Sequence, residues 1–144
     1  MRSLLDINVL IALLDSNHAF HQRAHKWWEA NIRSGWASCP LTENGVVRVM
    51  SNPAYSQTLR LTPGELIGRL QKFVDQTDHE FWPDNLSLRD SNVFVAERMH
   101  SSRQLTDIYL LGLAVAHSGR LATFDQGVPL SVVSSAKTAN LQVL

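Results

Sequence analysis

Residues 105–125 read LTDIYLLGLAVAHSGRLATFD. From Asp107 to His117 this stretch is apolar on nearly every side, the mark of a helix buried against a sheet. Thr106 stands where an N-cap belongs, and Gly119 where such a helix ends. Leu121 to Phe124 then read as a short strand that stops at Asp125. A buried helix, a tight turn and an apolar strand in that order are a piece of an α/β fold.

The rest of the chain repeats the alternation. Arg2 to Leu5 is a short apolar run ending at Asp6, and Asn8 is placed to cap a buried helix over Val9 to Leu14. A second helix is expected from His21 to Ile32 and a second strand from Trp36 to Cys39. Pro40 and Thr42 open a helix holding Val46, Val47, Val49 and Met50. Ser51 to Thr62, with Pro53, reads as a loop. Thr62-Pro63-Gly64-Glu65 is a strong helix start, with a capping box from Thr62 to Glu65 and a stripe of Leu66, Ile67, Leu70, Phe73 and Val74. Glu80 to Trp82 is expected as a strand, and Ser87 or Asp90 as the cap of a helix through Val93, Val95, Ala96 and Met99. Leu130 to Val133 and Leu141 to Leu144 add one or two short strands. Short strands alternating with helices predict a three-layer α/β/α sandwich around a short, mainly parallel sheet. In such sheets the site lies at the carboxyl ends of the strands.

Composition bounds the function. The chain has 144 residues, 44% hydrophobic and 18% charged, which is material for one domain, residues 1–144, with a real core. Thirteen basic residues balance thirteen acidic ones, excluding a basic tail though not a local basic groove. The single cysteine, Cys39, excludes a disulfide-stapled scaffold and reads as a buried thiol. No apolar run has the length of a membrane span. Asp6 and Asn8 interrupt the apolar N-terminal stretch, so it reads as structure and not as a signal peptide, and the expected location is the cytoplasm.

Four acids fall at one predicted edge. Asp6 ends the first strand, Asp125 ends a late one, and Glu43 and Asp107 sit in first turns of helices that start at that edge. Taken singly, each is what a helix dipole or a turn selects. Together they need an explanation, because two carboxylates about 4 Å apart repel by about 4 kcal/mol at an effective dielectric near 20. Such a cluster either retains protons or takes a divalent cation. Oxygen-only donors suit Mg²⁺ or Mn²⁺. A metal-activated water beside a charge-stabilised phosphate points to phosphodiester hydrolysis.

The residues also resemble a known family. LLDINVLIALLD with Asp6 and Asn8, LTENGVVRVMSNP with Glu43, Asn44 and Arg48, LTDIYLLGLAVAHSGRLATFD with Asp107, and the closing ATFD with Thr123 and Asp125 are similar in order and context to PIN-domain ribonucleases of the VapC type, toxins of prokaryotic toxin–antitoxin pairs. The resemblance spans nearly the whole chain. It implies a small α/β/α domain, usually a homodimer, blocked by a cognate antitoxin that wraps it. It implies an acidic quartet of Asp6, Glu43, Asp107 and Asp125 around Mg²⁺ or Mn²⁺, cutting RNA. Within that reading Asp6 and Asp107 are direct ligands, and Asp125 is one directly or through water. Glu43 positions or deprotonates the attacking water. Asn8 fixes Asp6 by hydrogen bonding, and the Thr123 hydroxyl holds a water or a carboxylate. Arg48, five residues after Glu43, is the candidate phosphate contact.

Other readings are weaker. His21 and His25 share a helical face but lack a third ligand. His79, His100 and His117 are isolated in sequence. Trp27 and Trp28 are adjacent on one helix, so one is expected to be partly exposed, as edge packing or as an anchor for a partner helix. An aspartate-dependent phosphatase or phosphoacceptor would also use Asp6, but it would want an acid where Asn8 stands and a downstream lysine. A non-catalytic domain binding RNA or a partner is the third alternative.

Overall fold

The computed structural model describes residues 1–144. Five short strands form one sheet: β1 (Ser3–Leu5), β2 (Trp36–Ser38), β3 (His79–Phe81), β4 (Arg120–Thr123) and β5 (Leu141–Val143). Their order is β3-β2-β1-β4-β5, and every neighbouring pair is parallel. The helices are α1 (Ile7–Leu14), α2 (His21–Asn31), α3 (Pro40–Ser51), α4 (Pro63–Asp75) and α5 (Leu105–Ala116). None is long and apolar enough to cross a membrane.

The three central strands carry almost no polar alternation because both of their faces are covered, as in parallel sheets generally. Successive residues go to opposite sides. Leu4, Ala37 and Leu121 enter one cluster with Ile108, Leu111 and Phe94, whereas Leu5, Trp36 and Ala122 enter a second with Val9, Val46 and Leu66. Thus α5 covers one face, and α1, α3 and α4 cover the other. Arg2 ties down the amino ends of the strands, donating to Asp78 at 2.9 Å and to the Trp36 carbonyl at 3.1 Å.

Several local expectations are corrected. The cap of α1 is Asp6, whose Oδ1 accepts from the Ile7 amide at 2.7 Å; Asn8 is exposed and makes no side-chain hydrogen bond. No α-helix forms from Asp90 through Met99. Asp90 Oδ1 accepts from the Asn92 amide and Ser87 Oγ from the Arg89 amide, and such local bonds compete with a helix. The segment instead runs through an isolated bridge of Phe94 to Val133 into a 3-10 turn at Ala96–Arg98. Leu130–Val132 is likewise a 3-10 turn and not a strand. Helix α5 is entered from a 3-10 turn at Ser102–Gln104, so Gln104 and not Thr106 holds the cap position.

At the other end of α5 the left-handed residue is Ser118 (φ 54°). Gly119 is needed for space: a Cβ there would lie 2.8 Å from the Arg2 carbonyl oxygen and 2.7 Å from the Trp82 ring. At α4, Thr62 Oγ1 accepts from the Glu65 amide at 3.1 Å, but the Glu65 carboxylate meets the Thr62 hydroxyl and not the backbone, so only half the box closes. Ile67, placed in the buried stripe of α4, is 56% exposed. Trp27 and Trp28 are both half-buried against the same cluster, with Trp28 packed on Trp36 and Phe73.

Candidate active site at the carboxyl edge of the sheet

Register brings the first acids together. Leu5 pairs with Ala122, so the residues that follow, Asp6 and Thr123, meet at the carboxyl edge of adjacent parallel strands. The Thr123 hydroxyl donates to Asp6 Oδ2 at 2.7 Å, while Thr123 Oγ1 accepts from the Asp125 amide at 3.0 Å. One hydroxyl thus orients the carboxylate of one acid and the backbone of another. Asp125 turns through its own Oδ1, which accepts from the Gly127 amide at 2.7 Å. Asp107 enters from the first turn of α5.

The three aspartates are graded in burial. Asp6 is buried, Asp107 half-buried and Asp125 exposed. Asp6 has a raised pKa, chiefly because burial disfavours its charge; hydrogen bonds from Thr123 and Ile7 pull the other way, and the Asp125 charge adds to the rise. Asp107 is pushed up to about 7, first by burial, then by the charge of Asp6, then by contact with and repulsion from Asp125. Burial and crowding of like charges raise carboxyl pKa values in this way, and a bound cation would oppose the rise.

Glu43 has partners of its own. Strand β2 neighbours β1, so Glu43 in the first turn of α3 is at the same edge. Its charge, however, contributes to the shifts of neither Asp6 nor Asp107. The Glu43 Oε1 atom instead accepts from the Ser38 hydroxyl at 2.6 Å, and Ser38 Oγ also lies 2.8 Å from His79 Nε2. Glu43 is thus held by side chains of β2 and β3, whereas Thr123 holds Asp6. The bond expected from Asn8 to Asp6 is absent, and Thr123 occupies that role.

Ser38 and His79 were invisible to sequence reasoning, for His79 lies 41 residues from Ser38. The available signal was a serine at the end of a buried parallel strand, five residues before an acid. Arg48 is exposed and makes no ion pair, and together with Glu43 it lines a groove of about 820 Å³ between α3, α4 and β3. His21 Nδ1–H donates to the Ala12 carbonyl at 2.7 Å, and His25 meets Glu29. Cys39 is a buried thiol pushed up to about 11 by burial, hence inert.

The donor set fits a hard dication. Asp107 feels the charges of both Asp6 and Asp125, and burial first, then these like-charged neighbours, push it up to about 7. No three groups close on one point as a ready-made cage. Mg²⁺ does not need one, since it keeps several waters and takes one or two carboxylates together with phosphate oxygens.

Comparison with known proteins agrees with this architecture. The family model described as PIN domain matches residues 3–133. The chain belongs to the PIN-domain family. This PIN domain is 46% identical to Ribonuclease VapC44 of Mycobacterium tuberculosis over 144 residues, the full length of both chains. It is 37% identical to Ribonuclease VapC39 of the same organism, again over the full length of both. A solved chain described as VapBC2 from Rickettsia felis bound to a DNA fragment from their promoter superposes with a TM-score of 0.60. It covers 100% of the PIN domain and 99% of its own chain at 10% identity, a likeness of fold alone.

Proposed function

We propose that this protein is a metal-dependent endoribonuclease and the toxin of a type II toxin–antitoxin pair. The observation that carries the reading is the meeting of Asp6, Asp107 and Asp125, from three distant segments, at the carboxyl edge of the sheet. Full-length kinship with proteins named ribonucleases supports RNA as the substrate, and the VapBC assembly of the structural neighbour supports a cognate antitoxin as partner. We place the protein in the cytoplasm as a homodimer, a single domain over residues 1–144.

Asp6 and Asp107 would hold Mg²⁺ or Mn²⁺, with Asp125 at the exposed rim joining directly or through water. When bound, the ion supplies Lewis-acid stabilisation of charge on the phosphate and makes water more acidic. The protein does the rest by position. Thr123 fixes the Asp6 carboxylate so that its orientation need not be found during the reaction. Glu43, at the neighbouring strand end, accepts the proton of the attacking water or orients it. Arg48, free of internal partners, contacts a flanking phosphate.

Purified protein incubated with RNA and with a generic phosphomonoester, each with Mg²⁺ or EDTA, tests the reading. RNA cleavage that disappears in EDTA is expected. Turnover of the monoester instead would assign a phosphatase, and inertness towards both would leave a binding domain.

A further inference from the structure

Glu43 is held by a serine whose own geometry needs a second partner. Ser38 is fully buried, and its single hydroxyl proton has two neighbours, Glu43 Oε1 at 2.6 Å and His79 Nε2 at 2.8 Å. A carboxylate only accepts, and 2.6 Å is the separation of a charge-assisted O–H···O⁻ bond. Ser38 therefore donates to Glu43, and its oxygen accepts from His79 Nε2–H. The direction of both bonds follows from that one proton. Glu43 Oε2 has no hydrogen bond within the chain, which leaves it as the free acceptor on that carboxylate. The His79 ring is itself fixed, 4.4 Å from the Trp36 ring and half-buried on β3.

From this chain of contacts we infer that Ser38 and His79 are positioning residues for the reaction, a relay from His79 Nε2–H through the Ser38 hydroxyl that aims Glu43 Oε2 at the water it activates. The inference rests on the ribonuclease reading and adds to it the parts that hold the base. Two neighbouring strands and a helix supply them: the first residue of β3 is His79, the last of β2 is Ser38, and Glu43 lies in the first turn of α3. Losing either positioning residue frees Glu43 to rotate. A displacement of about 1 Å in a reacting group costs about a hundredfold in rate, whereas substrate binding elsewhere is untouched.

The test uses the full chain with a fluorophore–quencher single-stranded RNA of mixed sequence and Mg²⁺. The variants are Ser38→Ala, His79→Phe, which keeps a ring against Trp36 but has no donor, and His79→Gln, which keeps an amide donor at similar reach. Expected are kcat losses of about tenfold to a hundredfold for Ser38→Ala and His79→Phe at unchanged KM, with most of the rate retained by His79→Gln. In a Glu43→Gln background, Ser38→Ala and His79→Phe should add nothing. Long-range ¹⁵N–¹H NMR should show the Nε2–H tautomer of His79 in the wild type and a moved Nε2 resonance in Ser38→Ala. Wild-type kcat in both donor-less variants, losses confined to KM, or losses that add to that of Glu43→Gln would overturn the relay while leaving the ribonuclease in place. If the wild type cuts no RNA, the functional reading falls and NMR decides the contacts: an Nδ1–H tautomer sinks them.

Discussion

Asp6 does two things with two oxygens. Oδ1 caps α1 through the Ile7 amide, and Oδ2 takes the Thr123 hydroxyl. Asparagine keeps a carbonyl oxygen for the cap and removes the charge. Asp6→Asn should therefore abolish metal-dependent cleavage while its stability stays within about 1 kcal/mol of the wild type, as thermal melts and a cleavage assay on the same preparation will show. Asp107 predicts a pH dependence. Its native pKa of about 7 lies above the ordinary value of 3.8, so the native state binds the proton more tightly than the unfolded chain. The associated stability is complete below about pH 4 and is lost as pH rises through 7. Metal-free protein in EDTA should thus melt several degrees lower at pH 8 than at pH 5. The Asp107→Asn variant should flatten the curve, and Mg²⁺ at pH 8 should raise the melting temperature of the wild type. The aspartates were legible in the sequence because each ends a strand or opens a helix, positions that the α/β pattern itself sends to one edge. The hydroxyl and imidazole that hold Glu43 were not, since separate strands bring them in.

Helix α5 shows how elements were read and misread. Its length and buried character follow from its composition, but its start does not, because Ser101 Oγ accepts from the Arg103 amide and begins a 3-10 turn ahead of Thr106. Between Asp90 and Met99 the spacing of apolar residues suggested a helix, yet what those residues serve is a tertiary contact. Phe94 is 2% exposed and lies against Gly112 of α5, where a Cβ would come within 2.5 Å of the ring. The extended backbone around Phe94 delivers the ring to that gap, and no local pattern encodes the gap. Alanine is the better helix former by about 1 kcal/mol, but a buried ring cannot withdraw. Gly112→Ala should accordingly be destabilising, by about 1–2 kcal/mol net of that gain, read as a lowered denaturant midpoint with an unchanged slope.

At the scale of the molecule, charge balance conceals an asymmetry. Setting aside Asp6, Glu43, Asp107 and Asp125 as the proposed site leaves nine acidic residues facing thirteen basic ones. Only two ion pairs engage Lys or Arg side chains, both through Arg2. Bases such as Arg48 and Lys26 remain free, and RNA binding that draws on them should weaken with salt: KM should rise about tenfold or more between 50 and 200 mM salt at a nearly constant kcat if three or more phosphates are contacted.

The middle position of β1 in the sheet has a temporal consequence. Asp6 and the Thr123 hydroxyl that orients it are separated by 117 residues, and synthesis runs from the former to the latter. At about 5–20 residues per second, several seconds pass between the two. Throughout that interval the nascent polypeptide owns the innermost strand of its sheet but neither the β4 neighbour nor the α5 cover. A half-made chain therefore carries Asp6 without the hydroxyl that orients it.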